Sequence, residues 1–308
     1  MNTVVLITGA NGMLARSLAK SLGSKYTVRF LTREVTRHNE FKWDIGLKYI
    51  DPEALKGVNH IIHLAGSSVA EKRWTLNRKR EIYSSRVDSA TLILDELQKN
   101  NQTIDSFISA SAIGYYGSKT TNDILTEESE NGGDYLGEVC KDWESVAHSF
   151  KSNHVAHKTS ILRLGIVLEN NAGVLKKMTP PVMWGLGAGI GTGKQWVPWI
   201  HIHDLCEMME FLLESDVEGT YNAVAPEHVT NQSFTRELAT VLKRKILLPN
   251  IPPLFFKLVF GEMAVVLLTG SRVSSDKIMS RGYHFKYANL HAALGNILAP
   301  KNQIELNR

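Results

Sequence analysis

The sequence predicts an α/β fold in which a doubly wound parallel sheet carries a smaller, mostly helical C-terminal lobe. Two observations lead to this class. Short β-branched apolar runs alternate with helical stretches through the first half of the chain, the pattern of strand–helix–strand units with parallel strands. From residue 226 onward the pattern is mostly helical. The 308 residues suffice for one large domain or two modest ones, with a substantial core.

Strands and helices alternate in the first half of the chain. The apolar runs predict strands at residues 4–8, 27–32, 60–64, 107–111 and 159–164. The stretches between them predict helices at residues 13–22, 51–55, 76–98 and 135–150. The second helix has the clearest boundaries, because Asp51 can cap its N-terminus, Pro52 suits the first helical position and Gly57 lies just past its end.

The second half of the chain is organised differently. Residues 170–198 form a Gly- and Pro-containing connection, and connections of this length are usually functional. A strand at residues 199–202, a helix capped by Asp204 and a strand at residues 221–224 that rejoins the sheet follow. We therefore expect a sheet domain and a substrate lobe. The first comprises residues 1–168, rejoined by 199–225, and the second comprises residues 169–198 and 226–308.

Composition excludes several classes of protein. The chain has 35 Lys and Arg against 31 Asp and Glu, a surplus too small to indicate a nucleic-acid partner. Cys140 and Cys206 are too far apart for a disulfide framework, which favours a reducing compartment. The first residues lack the basic region of a signal peptide. We expect a cytoplasmic protein.

The most apolar stretch, residues 254–268, contains Lys257 and Glu262. It is also shorter than the ~20 residues that a helix needs to cross a bilayer. We interpret it as one or two amphipathic helices packed on the body of the protein, and we expect no membrane partner.

The strongest functional signal is the strand, glycine turn and helix of residues 4–22. Gly9 permits a tight turn, Gly12 lets the backbone approach a diphosphate, and Ala15 lets helix and strand pack closely. The free N–H groups at the start of the helix attract a pyrophosphate. The motif predicts a Rossmann-type dinucleotide site; a plain strand–turn–helix without a ligand is the alternative.

The end of the second strand indicates which dinucleotide binds. Arg33, directly after Thr32, can pair with the 2′-phosphate of NADP. An acidic residue at this place would instead accept the 2′-hydroxyl of NAD. Arg33 makes NADP(H) the favoured cofactor, and the adjacent Glu34 leaves NAD(H) as the less favoured one.

Two further polar features lie near the predicted cofactor edge of the sheet. The strand at residues 107–111 delivers hydroxyl groups there, including that of Ser111. Beside Trp74 lies a basic patch, which suits a phosphate or carboxylate of a small ligand or forms an ordinary solvated helix face. Its members are Lys72, Arg73, Arg78, Lys79 and Arg80.

No metal site is predicted. His201 and His203 alternate along a strand to one face, as a pair of metal ligands would. No third ligand lies near them in the sequence, so we interpret them as sheet histidines with ordinary hydrogen bonds.

Taken in this order, the segments resemble the extended short-chain dehydrogenase/reductase superfamily. The resemblance extends through Ser85-Arg86-Val87, Gly114-Tyr115-Tyr116-Gly117, Trp143-Glu144, the glycine-rich residues 185–196 and residues 199–204. It covers essentially the whole chain and is strongest with the atypical branch called epimerase family proteins, which are similar to NAD-dependent epimerases and dehydratases.

The resemblance implies an NADP(H)-binding oxidoreductase or epimerase that binds a small substrate between the two lobes. If the basic patch holds this substrate, the substrate is anionic. It also implies which residues bind the cofactor. Gly9, Asn11, Gly12, Met13 and Leu14 would bind the diphosphate, and Thr32 and Arg33 the adenosine phosphate. Leu64, Ala65, Gly66, Glu81 and Arg86 would lie along the cofactor, and Val167 near the nicotinamide. The helices at 76–98 and 135–150 could pair in a homodimer, as in superfamily relatives, and a monomer is equally allowed.

The sequence departs from the superfamily at the catalytic pair. In typical members a Tyr-x-x-x-Lys pair supplies the acid–base phenol and the lysine that lowers its pKa. Counting back from Glu144 places Leu136 and Cys140 in these roles, and Leu136 cannot transfer a proton. Ser111 and Tyr116 are then the candidate catalytic residues, with Cys140 and Tyr135 as further proton sources. A catalytically silent NADP(H)-binding module or redox sensor is the alternative function.

Overall fold

The computed structural model describes residues 3–299, which form two compact units. The first unit contains residues 3–117, 130–163 and 206–221, and the second contains residues 118–129, 164–205 and 222–299. Neither unit is therefore a continuous stretch of chain.

The strands within residues 3–299 are short, as is usual for a parallel sheet covered by helices. In chain order they are β1 Val4–Thr8, β2 Thr27–Thr32, β3 Glu40–Asp44, β4 Tyr49–Ile50, β5 His60–His63, β6 Ile104–Ala112, β7 Ile124–Leu125, β8 Ala156–Leu164, β9 Ile166–Leu168, β10 Trp199–His201, β11 Gly219–Ala223 and β12 Arg272–Val273.

The helices of the same residues range from one turn to five. They are α1 Met13–Leu22, α2 Pro52–Leu55, α3 Leu76–Ser84, α4 Val87–Lys99, α5 Tyr135–Ser152, α6 Gly173–Met183, α7 Ile202–Glu214, α8 Asn231–Val241, α9 Pro253–Phe260, α10 Val265–Leu268, α11 Asp276–Ser280 and α12 Leu290–Leu298, with 3₁₀ turns at Ile113–Tyr116 and Gly261–Ala264.

The central sheet has eight strands in the order β11-β8-β6-β5-β1-β2-β3-β4. β1 pairs in parallel with β2 on one side and β5 on the other, and β5 pairs in parallel with β6. The chain thus winds outward from β1 in both directions, which makes the carboxyl ends of β1 and β5 the topological switch point. Ligands of open α/β sheets bind at this place.

Each unit has its own hydrophobic core. In the first unit, Phe107 of β6 stacks on Phe150 of α5 with ring centroids 3.6 Å apart, within a cluster that includes Leu6 and Leu31. In the second unit, Trp199 of β10 is fully buried among side chains of α6, α8 and α12.

The predicted fold class is confirmed. β1, α1 and β2 have the predicted bounds, and the strand predicted at residues 221–224 is β11, which joins the edge of the central sheet. The predicted cap of α2 is also confirmed, because the Asp51 carboxylate accepts a 3.0 Å hydrogen bond from the N–H of Glu53.

Three sequence predictions were wrong in detail. Residues 76–98 form two helices, α3 and α4, because Ser85 and Arg86 interrupt them. The stretch predicted as a loop at residues 170–198 contains α6. Asp204 is not a cap: α7 begins before it, and its carboxylate instead accepts the N–H groups of Lys286 and Tyr287.

The apolar stretch at residues 254–268 is divided between α9, a 3₁₀ turn and α10. Gly261, with a positive φ of 62°, ends α9. Within residues 3–299, none of the helices combines the length and the apolar character that crossing a membrane requires.

Candidate functional site

The turn between β1 and α1 brings the backbone of two strands together. Gly9 has a φ of 78°, and a Cβ added there would lie 3.1 Å from the carbonyl oxygen of Leu64 at the end of β5. The N–H of Gly12 closes the turn on the Gly9 carbonyl oxygen at 2.7 Å, and Gly12 is the N-cap of α1. Ala15 is almost fully buried, so α1 packs directly on the sheet. These glycine positions therefore have the geometry that close approach of a diphosphate requires.

Thr8 fixes the edge at the switch point, and the sequence analysis did not identify it. Its hydroxyl accepts hydrogen bonds from the N–H groups of both Leu64 and Ala65, each at 2.9 Å, and the side chain is fully buried. The end of β1 is thereby joined to the loop after β5. The only signal in the sequence is a hydroxyl residue that ends an apolar strand directly before Gly9.

The end of β2 holds the residues predicted to recognise the adenosine phosphate. Thr32 is buried and exchanges hydrogen bonds with the backbone of Glu34, which shapes the turn. Arg33 lies between them with an exposed side chain. The guanidinium is therefore presented to solvent, where an anion can reach it.

Arg86 lies at the break between α3 and α4, beside the loop after β5. Its guanidinium donates to the carbonyl oxygens of Ile82 and Ser67, each at 3.0 Å, and its Cζ lies 5.4 Å from the centre of the Trp143 ring. A Cβ on Gly66 would be only 3.0 Å from that Cζ, so a larger side chain there would push the guanidinium from its place. Among residues 3–299 Arg86 forms no ion pair, and burial lowers its pKa. A partly buried cation without a carboxylate partner is available to pair with an anion.

A chain of buried hydrogen bonds holds the Arg86 segment to the sheet. The indole N–H of Trp143 donates to Nδ1 of His63 at 3.2 Å, so Nε2 of His63 carries the proton and donates to the Ser89 hydroxyl at 2.8 Å. The Ser89 hydroxyl in turn lies 3.0 Å from the carbonyl oxygen of Arg86. Burial, and next the charge of Arg86, lower the pKa of His63 to about 3, so this imidazole is neutral.

Glu81 and Arg78 of α3 hold the segment that follows Gly66. Arg78 donates to the Glu81 carboxylate at 2.6 Å, and the Ser67 hydroxyl donates to the other carboxylate oxygen at 2.9 Å. The hydrogen bond from Arg78, followed by that from Ser67, lowers the pKa of Glu81. Within the predicted basic patch, Arg78 is thus a buried structural residue, while Lys72, Arg73 and Arg80 are exposed.

A buried network lies beneath the carboxyl end of β6. Arg163 of β8 and Glu144 of α5 form a two-pronged ion pair with N–O distances of 2.9 and 2.8 Å, and both side chains are less than a tenth exposed. Ser111 donates to the same carboxylate at 2.6 Å, and Arg163 donates to the hydroxyl oxygen of Tyr116 at 3.0 Å. The face of the Tyr115 ring lies 3.5 Å from the guanidinium.

The ion pair controls the charge of Arg163. Burial alone would lower the pKa of Arg163, but the hydrogen bonds and the charge of Glu144, with a smaller effect of Tyr116, raise it above its ordinary value. Ser111 and Tyr116 are 2% and 1% exposed, so the network buries both candidate catalytic hydroxyls. Their catalytic role remains a prediction. Their hydrogen bonds with Glu144 and Arg163 hold the end of β6 and the turn after it in place.

Leu136 and Cys140, which counting back from Glu144 places in the catalytic roles, both lie in α5. Both contact Gly114 in the turn after β6, because a Cβ on Gly114 would lie 3.5 Å from Leu136 Cβ and 3.9 Å from Cys140 Sγ. Burial, and next the charge of Glu144, raise the pKa of the Cys140 thiol to about 12. This thiol therefore stays protonated near neutral pH and does not act as a base.

The remaining predicted residues are distributed over both units. Asn11 is exposed and accepts a hydrogen bond from Arg16, and Met13 and Leu14 are the first residues of α1. Val167 lies in β9 of the second unit. Its place near a nicotinamide remains a prediction.

A doubly wound, mostly parallel sheet with a glycine turn between its first strand and first helix is typical of the extended short-chain dehydrogenase/reductase class. A model of the "NAD dependent epimerase/dehydratase family" matches residues 5–137, and a model of a "Domain of unknown function (DUF1731)" matches residues 251–297. The chain belongs to this epimerase family.

Relatives cover nearly the whole chain. The "Epimerase family protein SDR39U1 homolog, chloroplastic" of Arabidopsis thaliana is 32% identical over 96% of this chain and 86% of its own length. The "Epimerase family protein Mb2239" of Mycobacterium bovis is 29% identical over 96% of this chain and 97% of its own. The crystal structure of human epimerase family protein SDR39U1 (isoform2) with NADPH aligns with a TM-score of 0.86 at 27% identity, covering 96% of this chain and 99% of that one.

Removal of one partner of the buried ion pair should lower the free energy of unfolding by more than half of the amount that removal of both partners does. We expect Glu144→Leu or Arg163→Met alone to lower the free energy of unfolding by about 3–5 kcal/mol, since each leaves an uncompensated buried charge. The double variant should be less destabilised than the two single effects added together. A double-mutant cycle in urea measures this coupling. The exposed pair Lys56 and Glu53 is the matched control and should couple by less than about 0.5 kcal/mol. Additive effects at Glu144 and Arg163 would contradict the interpretation.

Neutral His63 should make the protein sensitive to acid. Its pKa is lowered from 6.5 to about 3, so its stabilising contribution is complete above pH 6.5 and is lost as the pH falls towards 3. Replacement by Gln should remove up to about 1.4 kcal/mol per pH unit from the slope of the unfolding free energy in that window. The exposed His38→Gln is the control. Equal slopes for His63→Gln and the parent protein would show that His63 is protonated in the folded state.

Proposed function

We propose that the protein is an NADP(H)-dependent oxidoreductase or epimerase acting on a small anionic substrate. The observation that carries this proposal is the Arg86 guanidinium near the switch point of the sheet, which contacts carbonyl oxygens, the Ser85 hydroxyl and the Trp143 ring but no carboxylate among the described residues. A cation in such surroundings is stabilised by an anionic ligand, and the phosphates of a dinucleotide supply that charge.

The backbone around Arg86 fits a diphosphate. At Gly9 and Gly66 a Cβ would make tight contacts of 3.1 and 3.0 Å with neighbouring atoms, and the N-terminus of α1 directs its free N–H groups to the turn at Gly9. Thr8 keeps the backbone of Leu64 and Ala65 in place beside the turn. These residues would bind and orient the cofactor without any change in the sheet.

Arg33 supports NADP(H) over NAD(H). Its exposed guanidinium follows buried Thr32 at the end of β2, where the adenosine ribose of a bound dinucleotide would lie. The human relative that was crystallised with NADPH agrees with this preference. When bound, the nicotinamide supplies a site that accepts or donates a hydride.

The chain's own residues limit how a proton can move. Leu136 stands where a catalytic phenol is expected, and Cys140, with a pKa of about 12, holds its proton. Ser111 and Tyr116 are the remaining hydroxyl groups at the end of β6, both oriented by the Glu144–Arg163 pair. We propose that this pair positions the turn, and that proton transfer, where the reaction needs it, uses these hydroxyls or a group of the substrate.

The segment after Gly66 supports an anionic substrate. Lys72, Arg73 and Arg80 are exposed there, and Lys79 lies 4.9 Å from the centre of the Tyr135 ring. Exposed cations beside an aromatic surface suit a phosphate or a carboxylate attached to a small organic group.

A second candidate function follows from Leu136 and Cys140, which contact the turn where catalysis would occur. Neither side chain transfers protons near neutral pH. The protein would then be a silent NADP(H)-binding module or redox sensor, which distinguishes NADPH from NADP without turnover.

We expect Arg86→Met to weaken NADPH binding by roughly 10- to 100-fold, because it removes charge-assisted hydrogen bonds to phosphate. Isothermal titration with NADPH measures the change. Arg80→Ala, which removes an exposed charge of the neighbouring helix, should bind NADPH within about twofold of the parent protein. Equal affinities for Arg86→Met and the parent would contradict the cofactor site.

Arg33→Ala should affect NADP much more than NAD. We expect the ratio of the two affinities to fall by roughly tenfold or more, since only NADP carries the 2′-phosphate. An unchanged ratio would show that another group recognises the phosphate.

Turnover separates the two functions. Mass spectrometry of the purified protein identifies retained cofactor and small molecules, and NADPH absorbance is then followed with those molecules and a panel of phosphorylated and carboxylated carbonyl compounds. Oxidation of NADPH, or interconversion of a retained molecule with its epimer without net NADPH consumption, supports the enzyme if Arg86→Met abolishes it. Binding without turnover, with different affinities for NADPH and NADP, supports the sensor.

A further inference from the structure

The second unit carries a concentration of exposed apolar side chains. Fourteen large hydrophobic side chains are exposed among residues 3–299, and nine of them lie in two short segments. These nine, which we call the apolar surface, are Met183, Trp184, Leu186, Leu247, Leu248, Leu254, Phe255, Leu258 and Val259. Single apolar side chains are ordinary on a protein surface, whereas a group of this size marks an interaction site.

The two segments lie side by side. Arg244 donates through Nε to the carbonyl oxygen of Met183 at 3.1 Å. Further along, the N–H of Ile251 donates to the carbonyl oxygen of Gly189, and the N–H of Gly191 donates to that of Ile251, at 2.8 and 2.9 Å. The apolar surface is therefore one region of the second unit.

Helix α9 is the largest part of this region, and it has apolar side chains on both its buried face and its exposed face. Phe256 faces the interior at 7% exposure and stacks with Phe260. Leu254 and Leu258, one turn apart, are 65% and 67% exposed, and their neighbours Phe255 and Val259 are exposed with them. The helix that the sequence predicted to pack on the body thus does so along one face and presents an apolar face to solvent.

The two chain segments that carry the apolar surface are basic, although the exposed Glu262 lies three residues after Val259. Residues 171–194 and 243–259 contain seven basic side chains and no Asp or Glu, although the whole chain has nearly equal numbers. Without these seven, the chain has 28 basic against 31 acidic side chains, so its positive surplus resides here. All seven are exposed: Lys176, Lys177, Lys194, Lys243, Arg244, Lys245 and Lys257.

The positive charge beside the apolar surface distinguishes between two partners that could cover it, a second copy of the chain and a lipid bilayer. A second copy of the chain docked across a two-fold axis would bring these basic groups against themselves. An anionic lipid bilayer has the complementary pattern, because phosphates of the headgroups pair with Lys and Arg while Trp, Phe and Leu enter the boundary of the acyl chains. We propose that the apolar surface docks the protein on an anionic lipid bilayer, with α9 lying in the plane of the interface.

Such docking is compatible with the absence of a spanning helix in residues 3–299. The sequence expectation of no membrane partner rests on the length of residues 254–268, and length bears on crossing a bilayer. Attachment to its surface depends on an apolar helix face with basic neighbours.

The test is co-sedimentation of the full-length protein with vesicles of phosphatidylcholine alone and with vesicles that also contain phosphatidylglycerol. We expect binding to the second kind, weakened by added salt because the Debye length shortens. Phe255→Glu with Leu258→Glu should lower the partition coefficient by roughly tenfold or more, since both side chains lose their burial in the interface. Lys243→Glu with Arg244→Glu should lower it by a similar factor.

Matched controls exist in the first unit. Leu47 and Leu76 are 78% and 77% exposed, so Leu47→Glu with Leu76→Glu makes the same chemical change outside the apolar surface. This control should bind vesicles as the parent does. Thermal unfolding and NADPH titration establish that each variant is folded.

Three results would overturn the proposal. One is an absence of binding to phosphatidylglycerol vesicles by the parent protein. The second is an equal loss of binding in the control and in the Phe255 and Leu258 variant. The third is a change from dimer to monomer in that variant, measured by light scattering, without any vesicle binding, which would make the surface a contact between copies of the chain.

Discussion

The ion pair between Glu144 and Arg163 is the interaction on which the carboxyl edge of the sheet depends. It joins α5 to β8, and through Ser111 and Tyr116 it also holds the end of β6 and the turn that follows. Two charges removed from water are stable only together, so α5 can occupy one register against the sheet. That register places the hydrophobic and thiol side chains of α5 against the turn.

Two arginines of the first unit have opposite surroundings. Arg163 has a carboxylate partner that satisfies its charge within the protein, which makes it a part of the framework. Arg86 instead contacts carbonyl oxygens, the Ser85 hydroxyl and the face of an indole ring, so within the described residues its charge has no carboxylate partner. The first arginine makes the edge rigid, and the second makes it attractive to anions.

The sheet and the glycine turn could be predicted because their signals are local. Apolar runs, a capping Asp51 and the positions of Gly9 and Gly12 each determine the conformation of a few adjacent residues. The break at Arg86 could not be predicted, because residues 76–98 have continuous helical periodicity and the break is stabilised by contacts with Ser67 and Ser85. Helix α6 was hidden by Pro180 and Pro181, which lie in its last turn.

The site was predicted unevenly for the same reason. Gly9, Gly12, Arg33 and Arg86 belong to motifs that are contiguous in sequence. The double role of Thr8 depends on N–H groups 56 and 57 positions away, and the Glu144–Arg163 pair joins a helix to a strand. Interactions of this kind are set by the packing of elements, which no short window of sequence contains.

Because each unit consists of separate stretches of chain, the order of synthesis on the ribosome limits which elements can pair first. The first unit requires residues 206–221, while the second already begins at residue 118. Since synthesis proceeds from the N-terminus, the edge that holds Arg86 can form early, but β8 lacks its neighbour β11 until residue 223 has emerged. During that interval β8 is an open edge strand, and it is the point at which a nascent or truncated chain is most exposed to mispairing with another.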